Sequence, residues 1–420
     1  MTHRPSASAT VPSPPGGGRI PIRRRGLVAL AGLALVGLGA VGTSAQQIPP
    51  DSTPRVGHGD KGFEIETADG RFLFQIQPRL QVRLSYPFDS DPVTFEQFGE
   101  GDELSVSVRR ARLKVGGHGF RPWLKYYFEY ELASSALLNF EVMVQKYESL
   151  SLRVGQWKVE YNRERMISSG KQQTLDRSIL TYPFTVDRQQ GISLFGRLRG
   201  EGIADLTYAV GMFSGSGRGE QANDDTTPMF VGRLQWNPLG DPVPMSGSDL
   251  ERHQDLVLGV ALAGATNRSR YTRFSQSGGG QLPGFGEGVA GQYRVNQAVL
   301  ETAAMWKGLS WQQELHWKEI EDRENVETTR LAGHLAQLGY FPGEMWSAVP
   351  SELELAFRHA IYDPDLDTED LTEQEFALAV NWFFSGHANK LTAEVAYIEL
   401  DQTTVETGRT RVRVQWDISF

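Results

Sequence analysis

The feature that most constrains this chain is an alternation of apolar and polar residues that recurs in about sixteen separate segments. Period two puts successive side chains on opposite faces of a strand, so each segment reads as a strand with one apolar and one polar face. In the first, from about Arg71, one parity holds Phe72, Phe74, Ile76, Leu80, Val82, Leu84 and Tyr86; the other holds Gln75, Gln77, Arg79, Gln81, Arg83 and Ser85. The last sets Val412, Val414, Trp416, Ile418 and Phe420 against Arg411, Arg413, Gln415, Asp417 and Ser419. Similar stretches begin near Leu104, Leu124, Phe140, Leu150, Ile192, Leu206, Met229, Leu256, Gln292, Leu309, Leu331, Leu353, Phe376 and Leu391, with Gly, Pro, Asp or Asn between them.

Outside the N-terminus no run approaches the roughly 18 apolar residues that a membrane helix needs, and mean hydropathy is -0.36. The other architecture that satisfies every backbone group in lipid is a closed barrel. An even strand count near sixteen suits a bacterial outer-membrane barrel. The expected fold is therefore all-β, a transmembrane antiparallel barrel over residues 71–420. Aromatics near segment ends (Tyr126, Phe128 and Tyr130; Trp311 and Trp317; Trp382, Phe383 and Phe384) are expected to form interfacial girdles. A large soluble sandwich would bury them in a core, but it explains neither the polar parity nor the export signal.

That signal occupies residues 1–45. Arg23, Arg24 and Arg25 precede a short apolar stretch from Gly26 to Gly42, and Thr43-Ser44-Ala45 offers small residues for cleavage before Gln46. Residues 46–70 are expected to be a short periplasmic segment, and the mature chain to lie in the outer membrane. The whole chain carries a net charge of -9, and its first 45 residues hold five arginines and no acid. The mature part is more acidic still, which argues against a nucleic-acid partner. The absence of Cys removes disulfides, thiolate nucleophiles and Cys-based metal sites and fits an oxidising periplasm.

If the apolar parity faces lipid, the other parity names the lumen. It turns Arg79, Arg83, Arg112, Lys114, Arg153, Lys158, Arg197, Arg199, Arg233, Arg411 and Arg413 inward, as the cost of a charge facing lipid requires. Between Leu104 and Gly116 the phase slips at Arg109-Arg110. A β-bulge there lets both arginines point into the pore. Guanidiniums stay charged and offer forked donors that match phosphate oxygens. Rings of such residues line anion pores. Glu129, Glu131, Glu301, Glu314, Glu354, Glu375 and Glu394 share the inward parity, mostly on later strands. Closure then sets a cationic wall against an acidic one.

Two connections are long. Residues 162–190 carry Arg163, Arg165, Lys171, Arg177 and Arg188 and are placed where a loop could fold inward; residues 268–291 are rich in Gly and Ser. Catalytic, cofactor and metal sites are not expected. Asp363, Asp365 and Asp367 begin like a calcium loop but lack its Gly and distal Glu. The glycines from Gly215 to Gly219 do not open a helix, and the eight histidines lack metal-ligand spacing. A barrel lipid hydrolase would need a Ser and a His presented together, and a purely structural surface protein would have a plugged lumen.

Pro78-Arg79-Leu80-Gln81, Val108-Arg109-Arg110-Ala111, Trp123-Leu124-Lys125-Tyr126-Tyr127, Val154-Gly155-Gln156-Trp157-Lys158 leading to Ser168-Ser169-Gly170-Lys171, Tyr340-Phe341-Pro342-Gly343, Asn381-Trp382-Phe383 and the terminal Phe420 occur in that order. Taken together this series resembles the phosphate-selective porin O and P family, over nearly the whole mature chain. The resemblance implies a homotrimer of 16-stranded barrels passing inorganic phosphate or other small anions through an arginine constriction. It makes Arg79, Arg109 and Arg110 the constriction residues, with Lys171 contributed by the loop.

Overall fold

A computed structural model describes residues 53–88, 103–200, 203–219, 222–275, 279–369, 371–402 and 405–420, without the side chains of 401–407. The expected signal peptide lies outside these residues. The chain begins with β1 (Arg55–Gly59) and β2 (Gly62–Glu66), and then β3 (Leu73–Tyr86), β4 (Ser105–Gly119), β5 (Arg121–Glu131), β6 (Ala136–Tyr147) and β7 (Leu150–Lys158). There follow β8 (Arg188–Leu198), β9 (Leu206–Phe213), β10 (Met229–Trp236), β11 (Val257–Ser269), β12 (Tyr293–Trp306) and β13 (Leu309–Asp322). The last are β14 (Glu327–Tyr340), β15 (Leu353–Asp363), β16 (Leu371–Ser385), β17 (Asn389–Gln402) and β18 (Val405–Ser419).

Each alternating segment of the sequence forms one strand, and β3 to β18 close into a 16-stranded antiparallel barrel. Closure runs from Val412↔Tyr86 to Ser419↔Arg79. The parity is what orients each strand. On β3 Leu80, Leu84 and Tyr86 are exposed outside, while Arg79, Gln81, Arg83 and Ser85 are buried inside. At the end that carries the C-terminus, Trp236, Trp306, Phe384 and Trp416 stand exposed on the outer face, as an aromatic belt requires. Phe383, expected in that girdle, turns inward instead and packs on Phe341, because it shares the inward parity of Glu375 and Asn381.

The β1–β2 hairpin went unanticipated, because Arg55–Gly59 shows no alternation and stays exposed. β2 pairs with Leu73–Ile76, just beyond the part of β3 that β18 covers. Gly62 makes this approach possible: its φ is +84°, and a Cβ there would sit 2.2 Å from the carbonyl oxygen of Ile76.

Two connections enter the interior from opposite ends. Residues 159–187, holding the one-turn helices α1 (Arg163–Met166) and α2 (Thr181–Phe184), come from the loop end. Residues 237–256 come from the other. They meet where Gly247 N donates to the Lys171 carbonyl at 2.8 Å and the Arg163 guanidinium donates to the carbonyls of Pro244 and Ser246. Toward the loop end, Leu180, Phe184, Val186 and Phe274 form one apolar cluster with inward-facing Val295, Ile320, Leu335, Tyr362 and Ile398. Burying each such side chain contributes about 1.5–3 kcal/mol, so the inner loop is held by a core of its own.

Candidate functional site

The basic residues of β3, β4 and β18 converge at mid-height on the tip of the inner loop. Along β3–β4, Gln81 pairs with Arg110 and Val82 with Val108, leaving Arg109 as the extra residue of a bulge. Both arginines consequently reach the interior: Asp176 Oδ1 lies 3.1 Å from Arg110 Nη2 and 3.8 Å from Arg109 Nη2. The other Asp176 oxygen accepts from Arg83 Nη1 at 2.5 Å and from Arg413 Nη1 at 3.0 Å. Four guanidiniums thus share one carboxylate supplied by the loop. Burial alone would push the Asp176 carboxyl up; the charges of Arg83, Arg110, Arg413 and Arg109 outweigh it and hold it well below its ordinary value.

Arg79 lies one step toward the C-terminal end of the barrel, donating to Asp417 at 3.1 Å and to Ser169 Oγ at 3.3 Å. Gly170 allows the loop this close, since a Cβ there would fall 2.6 Å from the Arg79 guanidinium carbon. Next to it, Lys171 is exposed inside the barrel, with no acidic partner among the described residues.

Most of the remaining expected cations are matched by acids. Arg112 bonds Glu129 at 2.9 Å and Glu131 at 2.7 Å, Arg153 lies against Glu141 and Glu160, and Arg233 meets Glu301 at 2.5 Å. Lys114 donates to Gln77 at 3.2 Å. Arg411 is buried, 5.3 Å from the Phe88 ring centroid. Arg197 sits at the C-terminal rim, bonded to Asp205 at 2.8 Å. Lys158 is spent on structure, donating to the carbonyls that end α1 (Arg165 at 3.1 Å, Met166 at 2.9 Å). Arg199 corrects the parity reading: β8 stops at Leu198, and Arg199 forms a surface pair with Glu148, their side chains 62% and 53% exposed.

The acidic wall has a use that parity alone did not show. Its carboxylates accept main-chain amides of the inner loop: Arg163 N to Glu301 at 2.9 Å, Glu164 N to Glu314 at 2.6 Å, Leu175 N to Glu394 at 2.8 Å and Ile179 N to Glu375 at 3.0 Å. Glu354 accepts from Gln173, Ser248 and Asn381. Three cations missed in the sequence join them. Lys318 donates to the Pro183 carbonyl and Lys390 to the Gln172 carbonyl, while Arg358 bonds Glu375 and Thr174. Arg358 shares the parity of Glu354, a signal that was available. Asp176 had none, because a loop carries no periodicity.

One Ser and one His do meet, Ser246 Oγ and His387 Nε2 at 2.9 Å. His387 Nδ1 is buried with no partner among the described residues. Burial, with Lys390, Lys171 and Arg79 nearby, pushes this imidazole well below its ordinary value. Among the described residues no carboxylate pairs with it to orient it as a base in the manner of a triad.

A family model described as phosphate-selective porin O and P matches residues 80–417. No curated protein matches the chain. Among solved structures, an anion-selective porin from Comamonas acidovorans is similar at a TM-score of 0.57 and 11% identity, over 83% of this chain and 99% of that one. The outer membrane channel DcaP of Acinetobacter baumannii gives 0.54 at 9%, over 83% and 97%. The outer-membrane expressed OmpT of Vibrio cholerae gives 0.52 at 8%, over 83% and 98%. At such identities the likeness concerns the fold, an outer-membrane barrel. The family match covers most of the chain, and the chain belongs to the phosphate-selective porin O and P family.

Proposed function

We propose that this barrel is a non-enzymatic pore for passive diffusion of small anions, inorganic phosphate or polyphosphate among them, through an interior lined by arginine. The observation that carries this reading is the convergence of Arg83, Arg109, Arg110 and Arg413 on Asp176. Four forked donors around one carboxylate make a ready anion site, and Asp176 is the occupant that the fold itself supplies. A permeating anion displaces that carboxylate, contacts Arg79 and Lys171 on the side toward the C-terminal end, and leaves. Weak, stepwise binding of this kind lets ions enter and also depart. Arg112, Lys114, Arg153, Arg233 and Arg411 contribute background potential, diluted where acids pair with them.

Those pairings favour a second reading, a weakly selective porin with a mixed-charge lumen, since Arg112, Arg153 and Arg233 each face a carboxylate. Single-channel recording in asymmetric potassium chloride, with phosphate added against chloride, separates the two. The first reading expects an anion-selective reversal potential and block of the chloride current by phosphate. A reversal potential near zero would support the second, and a cation-selective one would overturn both anion readings. We further propose export by the signal peptide over residues 1–45 and assembly as a homotrimer, for which native mass spectrometry in detergent is the check.

A further inference from the structure

The anion path leaves unexplained a second set of charges at the loop end of the apolar inner wall. There the strands from β12 to β17 and residues 282–287 enclose a cavity of about 630 Å³, the size of a small-molecule site. Its floor is apolar and aromatic, with Tyr293, Ile320, Leu331, Tyr362 and Leu400 buried. Phe285 meets Tyr293 edge-on, their centroids 5.7 Å apart.

Around that floor stand five carboxylates, Glu287, Asp322, Glu327, Asp365 and Glu373, and no lining residue is basic. Asp322 is occupied by Gln292 and Asn325, and Asp365 by Thr368. Glu373 faces Tyr362 across the β15–β16 ladder. Among the described residues no basic group pairs with Glu287, Glu327 or Glu373.

Glu287 and Glu327 are exposed and Glu373 half-buried, so a cation with an apolar body answers their charge while it covers the apolar wall. Aromatic faces add attraction for an ammonium group. An anion would be repelled, and a neutral solute would leave the charges unanswered. We propose that this vestibule binds a small organic cation with an apolar body, of the aryl-alkylammonium type. The site lies on strands other than those of the Asp176 cluster and does not depend on it.

The test is calorimetric titration of the full-length protein in lipid nanodiscs with benzyltrimethylammonium, using benzyl alcohol as the neutral comparator. The ammonium compound is expected to bind at least about tenfold tighter than the alcohol. Glu373→Gln combined with Glu287→Gln is expected to weaken it about fivefold, the scale of a partly desolvated cation contact. The chloride reversal potential of the same variant should stay unchanged, which shows the barrel intact. Equal binding of the two compounds, no binding of the cation, or indifference to the double substitution would overturn the proposal. Binding that persists in a barrel without anion selectivity would overturn only the transport reading.

Discussion

On β3, β4 and β18 the guanidiniums of Arg83, Arg109, Arg110 and Arg413 gather around one loop carboxylate; on β12, β13, β16 and β17 four carboxylates grip main-chain amides of the same loop. Both walls are charged and inward-facing, but at the inner loop the carboxylates are committed to its amides while several guanidiniums share the loop's one carboxylate. A carboxylate that accepts a buried N–H satisfies a donor that would otherwise cost about 1–3 kcal/mol, and it is committed by doing so. On the basic wall Asp176 is shared by four guanidiniums, one of which, Arg413, also pairs with Glu394. Counting charges by parity would make the walls equal and opposite; following each hydrogen bond shows that they differ in availability.

The sharpest way to break this contrast is to remove the pair that the bulge delivers. Arg109→Gln with Arg110→Gln is expected to lower the anion-to-cation permeability ratio by about tenfold, since two charges leave one narrow height; bi-ionic reversal potentials measure it. An unchanged ratio would place selectivity elsewhere. Next comes the acidic wall. Glu301→Gln with Glu314→Gln weakens two charge-assisted anchors worth about 1.5–3 kcal/mol each. Hydrogen exchange of amides 162–167 should accelerate correspondingly, and unaltered protection would contradict the anchoring role.

A smaller effect is expected at the tethered occupant. Asp176→Asn should lower the phosphate concentration that half-blocks chloride current by roughly threefold to tenfold, an equilibrium change of about 0.7–1.4 kcal/mol. The pH dependence follows from the sign of its shift. A carboxyl held below its ordinary value in the fold contributes stability that is complete above the unfolded value and is lost only as pH falls through the depressed native one. Asp176 itself should therefore contribute no change in conductance from pH 7 to 5. A change in that window that Asp176→Asn abolishes would count against the four-arginine clamp. The smallest effect belongs to Arg199→Gln, a surface pair worth about 0–1 kcal/mol, which should leave both conductance and selectivity alone.

Much of this was readable in advance. All sixteen barrel strands follow from period two, and the bulge follows from a phase slip that would otherwise put Arg109 or Arg110 in lipid. The apolar inner wall was not readable, because Val395 and Tyr397 face out while Ile398 and Leu400 face in, so parity carries no contrast there. That residues 162–190 could fold inward was legible from their length and place, but what holds them there was not. Their anchors lie more than a hundred residues away in sequence, and a loop has no repeat from which to predict a partner. Lys158 shows another limit: its ammonium closes a helix end rather than facing a passage.

The anchoring of the inner loop through its amides has a consequence for how this protein could vary. Glu301, Glu314, Glu375 and Glu394 hold the backbone of residues 163, 164, 179 and 175, and a backbone amide is the same whatever side chain it carries, proline excepted. The course of the loop is thereby uncoupled from its lettering. Substitution at Lys171 or Asp176 can retune what passes without moving the thread on which those residues are strung.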